Sequence, residues 1–189
     1  EFNAYNLLAA LGALLLSDEP LDSALAALAN MQPVAGRMQR VEAEATAPTV
    51  IVDFAHTPDA LEKVLTALKP LTSGRLICVF GCGGGRDIGK RPLMGAAVAA
   101  HADHAIVTSD NPRNEDPAHI VAGILAGMPP NQTVELDRRS AIRNAILAAA
   151  ANDIVVLAGK GHEDYQEVHG VKHPFSDLAE ARLALAERS

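Results

Sequence analysis

The 189-residue sequence predicts an α/β protein, a Rossmann-like and mostly parallel sheet with helices on both faces. Three observations predict it. Short β-branched and aliphatic runs without polar interruption read as strands buried on both sides. Capped helical stretches alternate with those runs. The connections between them are short, as strand–helix–strand units require.

Taken in order, Asn3 to Leu16 reads as an Ala/Leu helix, capped near Asn3 and apolar on most of its circumference. Asp22 to Asn30 gives a second short helix. The stretch Pro33 to Gly36 has no helical periodicity and marks a domain boundary, dividing 1–33 from 34–189. Thr49 onward is a buried strand, and Thr57-Pro58-Asp59 opens a helix with cap, first-turn proline and acid in their usual places. Strands follow at Arg75–Phe80, His104–Ser109, Thr133–Leu136 and Asp153–Ala158. Helices are expected from about Arg91, from Pro117 and after Asp137. A weak hairpin around His169-Gly170 precedes a last helix capped by Ser176.

Composition narrows the function. Hydrophobic residues make up 49% and charged residues 21%, so the bulk of the chain has enough apolar surface to fold. Aromatics are 3% and the net charge is −7, which argues against base stacking and against a polyanion-binding face. Cys78 and Cys82 have neither metal nor redox spacing and read as free thiols in a reducing cytoplasm. No apolar run is long enough to span a bilayer, and no partner membrane is expected.

In a parallel sheet, ligands gather at the carboxyl ends of strands, so the residues just after each strand carry the information. Asp53 and His56 follow the first strand. They allow a nucleotide contact or a capping cluster, with slightly more weight on the cap. Gly81-Cys-Gly-Gly-Gly-Arg86-Asp-Ile-Gly89-Lys90-Arg91 follows the second. It nearly matches a phosphate-binding P-loop but has Arg91 where Ser or Thr would hold magnesium, and Arg86 breaks the dinucleotide pattern. An anion-facing loop with three basic residues still outweighs a plain turn. Asp110-Asn111-Pro112-Arg113 follows the third strand. It reads as a simple turn or as an amide and guanidinium fork for a carboxylate, and local sequence leaves both open. Gly159-Lys160-Gly161-His162-Glu163 follows the last long strand. There two glycines admit a ligand and Glu163 could accept an ammonium, against the reading of a glycine turn.

Together, in order and in register, these stretches resemble the C-terminal domain of the Mur ligases, the ATP-dependent amino-acid-adding enzymes of peptidoglycan synthesis. Asp53-Phe-Ala-His-Thr-Pro-Asp-Ala-Leu, the Gly81 loop through Pro92-Leu-Met-Gly, Asp110-Asn-Pro-Arg, Gly159-Lys-Gly-His-Glu-Asp-Tyr-Gln and His173-Pro-Phe-Ser-Asp carry the likeness. It covers essentially the whole chain and is closest to the UDP-N-acetylmuramoyl-tripeptide synthetase branch.

The resemblance implies an ATP- and Mg2+-dependent carbon–nitrogen ligase acting through an acyl phosphate. Its substrates would be meso-diaminopimelate, ATP and a UDP-N-acetylmuramoyl dipeptide. It implies that Arg86, Asp110, Asn111, Arg113, Gly159 and Glu163 bind diaminopimelate. Asn6, Arg37, Asp53 and His56 would meet ATP. Gln39, where relatives often have Glu, is given no role. Residues 1–33 would be the last helices of a central ATP domain whose remainder is absent. With no Ser- or Thr-ended P-loop, no metal ligands, no carbamylated-lysine candidate and no catalytic residue, the chain is expected to be an inactive fragment of a monomeric ligase. Its leading helix would be mobile or form a dimer contact. The alternatives are a stand-alone phosphate- or small-molecule-binding module, a lysine-adding relative, and a folylpolyglutamate enzyme. Arg113 argues against lysine, and the glycine loops against folate.

Overall fold

The computed structural model describes residues 2–31 and 34–188. The chain forms two compact units, Glu1–Val34 and Ala35–Ser189. The first holds two helices, α1 (Phe2–Leu16) and α2 (Leu21–Ala29). Tyr5, Leu8 and Leu16 are exposed on α1, whereas Ala24 of α2 is buried. The side chain of Asn3, the expected cap, and Pro33, at the expected boundary, lie outside the described residues.

The second unit is a six-stranded sheet flanked by helices. In chain order it contains β1 (Gln39–Arg40), β2 (Thr49–Asp53), α3 (Pro58–Leu68), β3 (Leu76–Phe80), α4 (Lys90–His101) and β4 (His104–Val107). Then come α5 (Pro117–Leu125), β5 (Thr133–Val134), α6 (Arg138–Ala148), β6 (Ile154–Ala158), a hairpin of β7 (Tyr165–Val168) and β8 (Val171–Pro174), and α7 (Asp177–Ala186). The strand order is β1-β2-β6-β3-β4-β5. All neighbours are parallel except β1, which pairs antiparallel with β2. This two-residue edge strand is too short to show a period in the sequence.

The uninterrupted apolar runs are explained by two cores. Along β3, Leu76, Cys78 and Phe80 face one core while Ile77 and Val79 face the other. The first core is closed by α3, α4 and α5, the second by α6 and α7. Each side chain of β3 thus leaves water, worth roughly 1.5–3 kcal/mol for the larger apolar ones. Phe80 is fully buried, and truncating it to alanine is expected to cost about 3–5 kcal/mol.

Helix starts follow from local chemistry. The Thr57 hydroxyl accepts from the Ala60 N–H, the Asp116 carboxylate from Ala118, Asp137 from Ser140, and Ser176 from Ala179. On α3, Leu61, Leu65 and Leu68 recur at helical spacing and are buried. α4 differs: it begins at Lys90 with no side-chain cap. β4 ends two residues earlier than the sequence suggests. Thr108 still donates to the Phe80 carbonyl, but Ser109 leaves the ladder. Among the described residues, no helix is long and apolar enough to cross a membrane.

Candidate functional site

The carboxyl ends of β2, β6, β3 and β4 lie side by side in the sheet. The loops that follow them enclose a cavity of about 270 Å3. Arg86, Asp110, Asn111, Arg113, Gly159 and Glu163 all line it, together with His56 and Lys90. Six residues expected to hold one ligand are therefore brought together from three loops.

The Asn111 side chain is 2% exposed and largely spent inside the protein. Its Oδ1 accepts from Lys160 Nζ at 3.1 Å and from the Glu167 N–H at 2.9 Å, and its Nδ2 donates to Glu163 Oε2 at 2.9 Å. Lys160 Nζ donates to that same Oε2 at 3.0 Å. Glu163 lines the cavity, and its Oε1 has no partner among the described residues, while Oε2 is fixed by two donors. Asn111 thus spends its amide on holding Glu163 and the Glu167 main chain.

Lys160, to which the sequence assigns no role, joins the cavity wall by its contacts. It is 0% exposed, two residues beyond a fully buried strand, and its ammonium also sits 5.6 Å above the Tyr165 ring. A buried lysine needs acceptors, and these are Asn111 and Glu163. The signal was its place two residues after the apolar run of β6, beyond Gly159.

Arg113 adopts a left-handed backbone, with φ of 53°. The hairpin imposes it. The Arg113 N–H donates to the Glu167 carbonyl, and its carbonyl accepts from His169 at 2.7 Å, so that residue 113 bridges to Val168. Its Nη1 donates to the Gly84 carbonyl at 2.8 Å, and its Nε stands 3.2 Å from Glu167 Oε2. Gly84 must be glycine here, because a Cβ would stand 2.0 Å from the Pro112 carbonyl oxygen.

The Gly-rich loop has its own anchor. Glu115 accepts from the Gly85 N–H and takes a two-pronged ion pair from Arg91 Nη2, at 3.0 and 2.8 Å. Those contacts, the Gly85 bond first, hold the Glu115 carboxyl below its ordinary range. Arg86, by contrast, is exposed and has no ion pair among the described residues. Lys90 Nζ donates to the His56 carbonyl at 3.0 Å, tying two lips of the cavity.

Asp110 is 8% exposed, and its carboxylate has no hydrogen-bond partner among the described residues. Burial raises its pKa, with the Arg138 and Lys160 charges opposing. Its Oδ2 lies 2.6 Å from where a Cβ on Gly159 would be, and Gly159 has φ of 116°, so only glycine fits opposite it. Burial also pushes Cys82 to about 11 and Cys78 to about 12, leaving both as protonated thiols at neutral pH.

The remaining expected residues fall elsewhere. Both Asp53 oxygens are taken by main chain, Oδ1 from Ala55 at 2.8 Å and Oδ2 from Met38 at 2.7 Å, so this carboxylate braces two loops. The Arg37 guanidinium lies 4.8 Å over the Phe54 ring, with the His56 ring edge-on to Phe54 at 4.6 Å. Asn6 is exposed on α1 in the first unit. Among the described residues, no three His, Cys, Asp or Glu side chains are close enough to hold a metal.

The cavity therefore offers an anionic oxygen at Glu163, a buried carboxylate at Asp110 and guanidinium groups at Arg113 and Arg86. Such an arrangement suits a small zwitterion, ammonium on one side and carboxylate on the other. Comparison with known proteins bears on which. The family profile described as Mur ligase, glutamate ligase domain matches residues 36–161. The chain belongs to the Mur ligase family. It is 58% identical over 187 residues to the UDP-N-acetylmuramoyl-L-alanyl-D-glutamate–2,6-diaminopimelate ligase of Ectopseudomonas mendocina, covering 98% of this chain and 38% of that protein. It is 54% identical to the protein of the same name from Synechococcus elongatus, covering 100% of this chain and again 38% of the other. A solved structure of that ligase superposes with a TM-score of 0.79 at 44% identity, covering all of this Mur ligase chain and 39% of the other. The chain thus spans about 38% of the length of the curated relatives it matches.

Proposed function

We propose that this Mur ligase chain is the amino-acid-binding part of an ATP-dependent ligase. That ligase joins meso-diaminopimelate to UDP-N-acetylmuramoyl-L-alanyl-D-glutamate in the cytoplasm. Residues 34–189 are the C-terminal domain in this reading, and residues 1–33 are the last helices of a central ATP domain. The observation that carries the proposal is the pairing, within one cavity, of Arg113 and Arg86 with the free oxygen of Glu163.

The distal end of diaminopimelate is an amino acid head. Its carboxylate would meet Arg113 and Arg86, and its ammonium Glu163 and Asp110, with Gly159 admitting the head close to the backbone. Lysine lacks that carboxylate. A guanidinium desolvated by lysine without a partner is costly, and a site built to hydrogen-bond one group can reject the analogue lacking it by as much as about 10⁴-fold. Asn111 and Lys160 hold Glu163 still, so little ordering is left to be done on binding.

The opposite amine would then attack a substrate carboxylate activated as an acyl phosphate. This chain's part is to bind and orient the nucleophile, while Arg37 and His56 reach toward ATP and Asp53 holds their loop. Asn6 would contact the adenine. The residues described do not fit a magnesium site, so no step here runs through the metal.

The test is calorimetric titration with meso-diaminopimelate, with lysine as control. Binding of diaminopimelate alone, lost in Arg113→Ala, is the expected result. Equal binding of both would sink the assignment. Silence from both moves the same comparison to the whole ligase, where Arg113→Ala should raise KM for diaminopimelate.

A further inference from the structure

Beneath the cavity lies a charged group that no role above uses. Arg138 opens α6, and its side chain and that of Asp177 are both 0% exposed. Its Nε and Nη2 donate to the two oxygens of Asp177 at 2.8 and 2.7 Å. Nη2 also donates to the Ala158 carbonyl at 3.0 Å, and Nη1 to the Ser109 carbonyl at 3.3 Å.

Those two carbonyls are placed tellingly. Ala158 ends β6 and precedes Gly159, and Ser109 precedes Asp110. β6 and β4 are not neighbours, since β3 runs between them. One rigid, planar group therefore straddles a strand and joins the bases of the two loops that carry the zwitterion contacts. The residue types answer to that geometry. A buried ion pair is a poor source of stability compared with an apolar pair of the same size. Lysine could match the Asp177 charge, but it lacks the fixed fork that leaves donors over for two carbonyls.

We infer that Arg138, held by Asp177, is a positioning residue that sets the separation between the Asp110–Arg113 loop and the Gly159–Glu163 loop. The tie itself is independent of the ligand. Its effect on diaminopimelate rests on the function proposed above.

The test uses two variants. Arg138→Met with Asp177→Leu removes both charges together, which avoids a buried unpaired charge and should leave a cooperative thermal transition. Arg138→Lys keeps the charge and loses the fork. Amide hydrogen exchange on the ligand-free chain is read at residues 109–113 and 158–163. In the whole ligase, KM is read for diaminopimelate and for ATP. The double variant should exchange at least tenfold faster in both loops. Its KM for diaminopimelate should rise roughly tenfold to hundredfold, because small displacements at a binding site carry penalties of that order, while KM for ATP stays put. A folded double variant with unchanged exchange and unchanged KM overturns the inference. If the double variant does not fold, unchanged loop protection in Arg138→Lys overturns it instead. A wild-type ligase indifferent to diaminopimelate and lysine would sink the functional reading, and the exchange rates would still decide the tie.

Discussion

Two walls of the cavity are built on opposite principles. On one, Asn111, Lys160 and Glu163 share hydrogen bonds at 2.9–3.1 Å, and a single carboxylate oxygen is left over. On the other, Arg86 is exposed without a partner among the described residues, and Lys90 reaches a loop carbonyl. The first wall is finished before any ligand arrives. The second gains partners only when one does. A braced wall contributes precise orientation, and an open one contributes charge that can follow the ligand in.

The largest effect should come from breaking the braced wall. Lys160→Met strands Glu163 Oε2 and Asn111 Oδ1 without their cation, and about 3–5 kcal/mol of stability should be lost in urea unfolding. A loss under 1 kcal/mol would show that the wall is not braced in this sense. Arg113 belongs to both walls, anchored to Gly84 and Glu167 yet 24% exposed. Competition binding should show Arg113→Ala losing roughly a hundredfold of the preference for diaminopimelate over lysine. Gly159→Ala would press a Cβ against Asp110 Oδ2 at a left-handed φ, and thermal melting should register about 1–3 kcal/mol.

Asp110 gives a gentler test. Because burial raises its folded pKa, it takes up a proton at higher pH than in the unfolded chain. Its protonation therefore favours the fold as pH falls but removes an ammonium acceptor. Diaminopimelate affinity should weaken on acidification before the ordinary aspartate range is reached, and Asp110→Asn should flatten that profile. Glu115 has the opposite sign. Its lowered pKa gives stability that is full above the ordinary glutamate value and lost as pH falls through the folded one. The smallest effect belongs to the open wall: Arg86→Ala should leave stability within about 0.5 kcal/mol of wild type.

The parts legible in the sequence were those with short-range causes. The caps at Thr57, Asp137 and Ser176 reach three residues along the chain, and the strand runs carry their own pattern. The four strand-end motifs were legible for the same reason, since a parallel sheet collects them at one edge. What stayed hidden has long-range causes. Arg138 and Asp177 are 39 residues apart, Arg91 and Glu115 are 24 apart, and Asn111 and Glu163 are 52 apart. No local rule says that Asn111 will spend its amide on another side chain, or that the Asp53 carboxylate will be consumed by the N–H groups of Met38 and Ala55. Such pairings are settled by which strands become neighbours.

The hairpin of β7 and β8 lies outside the main sheet, yet its main chain sets the unusual backbone of Arg113. It works as a splint. Val168 and Val171, which face each other across its turn, do not line the cavity, but Val168 bridges to Arg113, and a slip of one residue in the hairpin's pairing would move the strand that holds that backbone. On the function proposed above, drift in the sequence of this surface ribbon would retune substrate choice while every residue lining the cavity stays the same.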